Sequence, residues 1–175
     1  METHTDATSP ALPQNVASDI SRVAQEGIAA GIVGAAIVAL WFLVLDLLSG
    51  RPLYTPTVLG TALFRGGRGL ANPEQLAVST EMVLMYTWVH ALAFCVIGGV
   101  ASRLLAASET NPHIGFGIIL LFVLLECGFL LAASVFAEGV LGALAWQAVL
   151  TGNLLAAAGM AIYLGRRHPT LEIRP

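Results

Sequence analysis

The sequence has few charged side chains and no lysine. Only 11% of its 175 residues are charged, and all eight basic residues are arginines, while 57% are hydrophobic and the mean hydropathy is +0.80. Because soluble domains carry about a quarter charged residues, this composition excludes a soluble domain. The net charge of −3, with the arginines dispersed along the chain, excludes a surface for nucleic acid. We predict an integral membrane protein whose surroundings are the lipid bilayer.

Cysteines and catalytic motifs are also scarce. Cys95 and Cys127 each lie inside an apolar run, and no C-x-x-C pair occurs, which excludes a disulfide framework. The sequence contains no glycine-rich phosphate loop, no Ser-His-Asp set and no zinc-ligand spacing. We therefore predict no catalytic residues and no metal site, and the sequence favours a protein that is not an enzyme.

Long apolar runs dominate the chain instead. A helix needs about 20 apolar residues to cross a bilayer, and four runs meet this length, at 27–48, 81–101, 114–136 and 141–164. The polar stretches 1–15 and 169–175 are predicted to be tails, the first of them disordered. The expected fold is an all-α, four-helix transmembrane bundle that forms one membrane domain over residues 16–168.

A short helix is predicted in the first loop. Thr55 is a good N-cap residue and Pro56 suits the first helical position, which predicts a helix over residues 56–64. At about nine residues this helix is too short to span a bilayer. We expect it to lie in the membrane interface or to fold back over the bundle.

Arginine positions predict the orientation. With four spans, one side of the membrane holds five arginines and the other holds three. The first group comprises Arg22, Arg103, Arg166, Arg167 and Arg174, and the second comprises Arg51, Arg65 and Arg68. Because cytoplasmic segments are enriched in basic residues, both termini are expected in the cytoplasm.

Small residues repeat at intervals of four along the first span. They are Gly27, Gly31, Ala35 and Ala39. This spacing lets two helix backbones approach closely, so it predicts a helix-packing face. The sequence leaves open whether the packed helix belongs to the same chain or to another subunit.

Three polar residues fall near the middle of their spans: His90, Glu126 and Asn153. An unpartnered ionisable group at that depth costs several kcal/mol, so we predict that Glu126 contacts His90, with Asn153 close by. The pair then acts either as a proton or cation relay or as an interhelical hydrogen bond that fixes helix register.

Haem is an alternative ligand for His90. Within one chain the geometry lacks a second axial histidine, because His113 starts the third span at a different depth. A haem shared by two copies, or ligated by His90 and a methionine, stays open, so no cofactor is predicted and haem is kept as an alternative. The candidate methionines are Met82, Met85 and Met160.

Aromatic and acidic residues gather toward the outer ends of the spans. Aromatic residues at this depth normally anchor a protein in the headgroup region, but they could also bind a lipid-soluble ligand. In the same region, Asp46 is expected to form a local ion pair or a helix cap, since Gly50 and Pro52 end the first span beside it. The cluster comprises Trp41, Asp46, Glu81, Tyr86, Trp88 and Trp146.

A segment of the first span and loop resembles a group of uncharacterised small four-span bacterial membrane proteins. The resemblance rests on Trp41-Phe-Leu-Val-Leu-Asp, Arg51-Pro52, Thr55-Pro56 and Leu59-Gly60, and it covers about a quarter of the chain. It implies a multi-pass protein of the bacterial inner membrane and brings no known activity with it.

Three functions fit these features. The first is a non-catalytic accessory or scaffold subunit of a larger membrane assembly, with other membrane subunits or further copies of itself as partners. The alternative is a carboxylate-dependent proton or cation carrier that uses Glu126. The third is a haem- or quinone-binding redox subunit.

Overall fold

The computed structural model describes residues 14–66, 68, 70, 72, 75–108, 123–124, 127–128, 131 and 146–167, and their secondary structure is helical. The helices are α1 (Gln14–Leu48), α2 (Tyr54–Arg65), α3 (Thr80–Ser108) and α4 (Trp146–Arg167). The predicted all-α class is confirmed over this part of the chain.

Three of these helices are long and apolar enough to cross a membrane: Ser21–Leu48, Thr80–Ala106 and Gln147–Arg167. They coincide with the first, second and fourth predicted spans, which confirms the class of membrane protein. The predicted third span, 114–136, lies outside the described residues except for positions 123, 124, 127, 128 and 131, which are helical.

The corner between α1 and α2 differs in detail from the prediction. After α1 ends at Leu48, Gly50 adopts φ 68°, and α2 begins at Tyr54 rather than at residue 56. The N-cap position belongs to Leu53, which adopts an unusual left-handed φ of 62°, rather than to Thr55. The predicted cap was wrong because the carboxylate that caps α2 comes from α1, nine residues earlier in the chain.

Helix α1 packs antiparallel to both other long helices. Its early residue Val23 meets Ser102 late in α3, while Ala35 meets His90 earlier in α3. In the same way Gly34 lies beside Met160, whereas Trp41 reaches Ala148 near the start of α4. Consequently α3 and α4 run in the same direction.

Two apolar clusters hold the helices together. The larger joins α1, α3 and α4, and its buried members include Ala30, Phe94 and Met160. The smaller includes Val58 of α2 and Val149 of α4. Helix α2 is therefore folded back onto the bundle, which is one of the two positions predicted for it. Half of its twelve residues are buried.

Candidate functional site

Helices α1 and α3 touch backbone to backbone, in a contact called here the glycine crossing (Gly27, Gly31 and Gly98). A Cβ placed on Gly27 would lie 2.7 Å from the Cα of Gly99, and one on Gly98 would lie 2.6 Å from the amide nitrogen of Gly31. Real Cβ atoms do not come this close to backbone atoms. The predicted small-residue face is thus occupied by α3 of the same chain.

Ala35 and Ala39 extend that face differently. Ala35 is buried and its carbonyl oxygen meets His90, whereas Ala39 is exposed. The close backbone contact therefore covers two of the four predicted positions, Gly27 and Gly31, and Ala35 meets α3 through its carbonyl oxygen. A second subunit cannot use the same face while α3 lies on it.

A polar side chain flanks the glycine crossing at each end. Ser102 Oγ donates a hydrogen bond to the carbonyl oxygen of Val23 at 2.8 Å, and His90 Nε2 lies 3.2 Å from the carbonyl oxygen of Ala35. Both bonds run from an α3 side chain to the α1 backbone. They fix how far α3 can slide along α1. The predicted register-setting bond was between His90 and Glu126, and this bond of His90 to the α1 backbone is a different one.

The environment of His90 defines which ring nitrogen is available. Because a carbonyl oxygen only accepts hydrogen bonds, Nε2 carries the proton and donates, which leaves Nδ1 as the basic nitrogen. The imidazole also lies between two rings, with centroid distances of 5.6 Å to Tyr86 and 4.8 Å to Phe94. This packing orients the ring toward α1.

The bond of His90 to Ala35 restricts which ring nitrogen could ligate haem. Ligating histidines usually donate one ring N–H to a second group and bind the metal with the other nitrogen. Here Nε2 makes the second-group bond, so only Nδ1, which is next to the side chain's own attachment to the backbone, could bind iron. Met82 and Met160 are fully buried against glycines of α2 and α1.

At the opposite end of the bundle, Asp46 joins α1 to α2. Its side chain is only 4% exposed, and its two carboxylate oxygens accept hydrogen bonds from Thr55, one from the backbone N–H at 2.8 Å and one from Oγ1 at 2.7 Å. Charge-assisted bonds to an N–H at a helix start also match the positive end of the helix dipole. Asp46 therefore acts as a cap supplied by another helix.

Thr57 extends this polar contact toward α3. Its hydroxyl donates to the carbonyl oxygen of Leu53 at 2.8 Å and accepts from the backbone N–H of Ser79 at 3.4 Å. Next to it, a Cβ on Gly60 would lie 2.9 Å from the Cβ of Met82. Helix α2 is thus held against the start of α3 by one threonine hydrogen bond and a glycine contact.

The remaining members of the outer aromatic and acidic cluster do not form one pocket with Asp46. Trp41 Nε1 donates to the carbonyl oxygen of Ala148 at 2.8 Å, over the notch left by Gly152. Glu81 pairs with Arg65 at 3.3 Å, where both side chains are exposed. The others separate further: Tyr86 stacks on His90, Trp88 is 71% exposed, and the side chain of Trp146 is not among the described ones.

Of the predicted central polar cluster, His90 and Asn153 are described. Asn153 is buried on α4 with 8% exposure, and it too makes an interaction within the protein. Glu126 lies outside the described residues. The predicted contact between Glu126 and His90 therefore stays a prediction.

Sequence reasoning missed Ser102 and Gly98 as contact residues. The signal was present, because these two positions repeat on α3 the same four-residue spacing of small side chains that marks Gly27 and Gly31 on α1. Two such patterns on consecutive spans would have predicted the glycine crossing. No comparable signal marks Thr57, whose contact with Ser79 depends on how α2 folds back.

Among the described residues, no group of three or more His, Cys, Asp or Glu side chains could hold a metal ion. No protein-family model, curated protein or solved structure matches the chain. The described helices define a membrane-embedded helical protein.

Proposed function

We propose that the chain is a four-span membrane protein. Helices α3 and α4 run in the same direction, so a chain that crosses the bilayer in both must return across it between them. The apolar run at 114–136 has the length for that return. This relation supports the fourth span independently of hydropathy.

The proposed orientation has both termini in the cytoplasm of a bacterial inner membrane, with α2 at the outer interface. The arginine distribution and the resemblance of the first loop to bacterial membrane proteins support this orientation and location. An exposed Leu53 and Phe64 at the two ends of α2 suit contact with the headgroup region.

Labelling with a membrane-impermeant thiol reagent tests the orientation in a variant without Cys95 and Cys127. We expect Gly67→Cys to react from outside and Ser108→Cys to react only after the membrane is opened. The reverse pattern would require an inverted topology. Reaction of both sites from outside would contradict a four-span arrangement.

In function, we propose a non-catalytic accessory or scaffold subunit of a larger membrane assembly. The observation that carries this proposal is that the polar side chains bond other helices of the same chain. Asp46, His90 and Ser102 each bond a backbone group of another helix. Among the described residues, no fully buried side-chain nitrogen or oxygen lacks a hydrogen-bond partner. The polar groups thus support a rigid arrangement of helices.

The proposed partner surface is an apolar stripe on α3. It faces away from α1, and its members repeat every four residues: Leu84, Trp88, Leu92, Val96, Val100 and Leu104. A side chain as large as Trp88 at 71% exposure offers a partner helix a broad contact, since aromatic side chains dominate the centres of interfaces.

Size analysis of the protein purified in a mild detergent tests this function. We expect a homo-oligomer or a stoichiometric complex with other membrane subunits, and we expect Trp88→Ala with Leu92→Ala to dissociate it. The matched control is Leu154→Ala, an exposed leucine on α4. A monomer that catalyses proton or cation flux by itself in liposomes would overturn the proposal in favour of the carrier.

A further inference from the structure

Three arginines surround the end of the bundle nearest the glycine crossing and are called here the basic rim (Arg103, Arg166 and Arg167). Arg103 follows Ser102, which is level with Val23 of α1. Arg167 comes seven residues after Met160, about 10 Å along the helix, and Met160 packs on Gly34. All three side chains are exposed at the same end of the protein.

The α4 part of the rim is held in a fixed direction. Leu164 is buried in the main apolar cluster, and Tyr163 packs against that cluster from its edge. The guanidinium of Arg167 lies over the Tyr163 ring, 5.6 Å from its centroid. An arginine stacked on an anchored ring loses less side-chain freedom when it binds a ligand.

The charge of the rim is not balanced by neighbouring acids in the described part of the chain. Arg22 pairs with Glu26 at the same end, whereas Arg103, Arg166 and Arg167 form no ion pair with any described side chain. At the opposite end Arg65 is paired with Glu81, and Arg68 is exposed. The end with the rim thus carries three arginines outside the ion pairs of the described residues, against Arg68 alone of these two at the other end.

We propose that the basic rim binds the phosphate headgroup of an anionic phospholipid. Planar guanidinium groups bind phosphate oxygens in pairs, and the rim lies where α1 becomes apolar, which is the depth of headgroups. The apolar side chains of α4 next to the rim, such as Ile162, offer a surface for the acyl chain. This proposal does not depend on the scaffold function.

Native mass spectrometry of the detergent-purified protein, with equal amounts of phosphatidylglycerol and phosphatidylcholine of matched acyl chains, tests it. We expect preferential binding of phosphatidylglycerol. Each arginine near an anionic headgroup contributes about 1 kcal/mol, or about a fivefold change in affinity. Arg166→Gln with Arg167→Gln should therefore reduce the preference about 25-fold. Arg68→Gln, an exposed arginine at the other end, should leave it unchanged.

A thermal melt with and without phosphatidylglycerol separates this role from a structural one. We expect the lipid to raise the melting temperature of the wild type and of Arg68→Gln, but not that of the double variant. Equal preference for both lipids in the wild type would overturn the proposal. Displacement of the lipid by millimolar inorganic phosphate would also overturn it. The same holds if the double variant melts below the wild type by an equal amount with and without lipid, because the lipid would then stabilise both proteins equally.

Discussion

The first half of α1 contacts its neighbour through backbone atoms, whereas the second half contacts its neighbours through side chains. Along residues 27–31, α1 and α3 meet backbone to backbone at the glycine crossing. Along residues 38–46, α1 meets α4 and α2 through side chains, among them Trp41, Phe42 and Asp46. One half leaves no space for added atoms, and the other is filled by large and polar groups.

This difference predicts two kinds of response to mutation. Where backbones touch, any added atom pushes two helices apart, because the neighbouring backbone cannot rotate away as a side chain can. Where side chains mediate the contact, each substitution removes one contact and neighbours can partly adjust. A single added methyl group in the first half should therefore destabilise the protein strongly. In the second half each substitution should cause a separate and smaller loss of stability.

The largest effect is expected for Gly98→Ala. Its new Cβ would lie 2.6 Å from the nitrogen and 2.9 Å from the Cα of Gly31. Overpacking of this kind costs about 3 kcal/mol, even though alanine is the better helix former by about 1 kcal/mol. Thermal unfolding in detergent, followed by circular dichroism, measures the loss.

Gly99→Ala is the matched control for this change. A Cβ on Gly99 meets nothing within 4 Å, so the variant should be as stable as the wild type or more stable by up to about 1 kcal/mol. If Gly98→Ala and Gly99→Ala had the same melting temperature, the two halves of α1 would not differ in the way described.

Asp46→Ala should have an effect of similar size that is confined to the corner between α1 and α2. It removes both acceptors that Thr55 uses, and hydrogen bonds to a charged group contribute about 1.5 to 3 kcal/mol. We expect α2 to loosen while the long helices stay packed. Hydrogen exchange should accelerate over α2, and Asp46→Asn, which keeps one acceptor, should lie between Ala and wild type.

The control at the same end is Ser49→Ala. Its hydroxyl bonds only within its own helix turn, to the carbonyl oxygens of Leu45 and Asp46. Exchange over α2 should stay slow in this variant. Uniform acceleration across all four helices in Asp46→Ala would mean that Asp46 supports the whole bundle rather than one corner.

A smaller loss is expected for His90→Phe, which keeps a ring between Tyr86 and Phe94 but removes the bond to the Ala35 carbonyl. Side-chain hydrogen bonds between membrane helices contribute about 0.6 to 1.7 kcal/mol. Thr151→Val, which removes an exposed bond within α4, serves as the control.

The same variant tests the predicted partner of His90. If Glu126 contacts His90, the stability losses of Glu126→Gln and His90→Phe should not add in the double variant, because the two changes remove one shared interaction. Additive losses would place the Glu126 partner elsewhere.

The sequence predicted the long helices well because their length follows from the bilayer. An apolar run must continue for about 20 residues and must stop near a headgroup, so the end of α1 at Leu48 could be foreseen. The small-residue face was foreseen for the same kind of reason. Four-residue spacing follows from helix geometry, whichever helix packs on it.

The contacts of single side chains could not be predicted in the same way. Trp41 and Trp88 have similar positions relative to the ends of their spans, yet one bonds α4 and the other is largely exposed. The cap of Asp46 on Thr55 depends on a left-handed Leu53, a conformation that a leucine rarely adopts. Helix rotation and a strained corner are fixed by packing between helices, and hydropathy carries little information about either.

The smallest effect is expected where α2 meets α3 through the Arg65 and Glu81 pair. Both side chains are more than half exposed, and exposed ion pairs typically contribute between 0 and about 1 kcal/mol. Arg65→Gln should change the melting temperature little, and a double-mutant cycle with Glu81→Gln should give a coupling below about 0.5 kcal/mol that vanishes at high salt. A coupling as large as the loss in Asp46→Ala would mean that α2 depends on its second end as much as on its first. The buried contacts of Asp46 and Thr57 argue against that outcome, since they satisfy their polar groups away from water and the exposed pair does not.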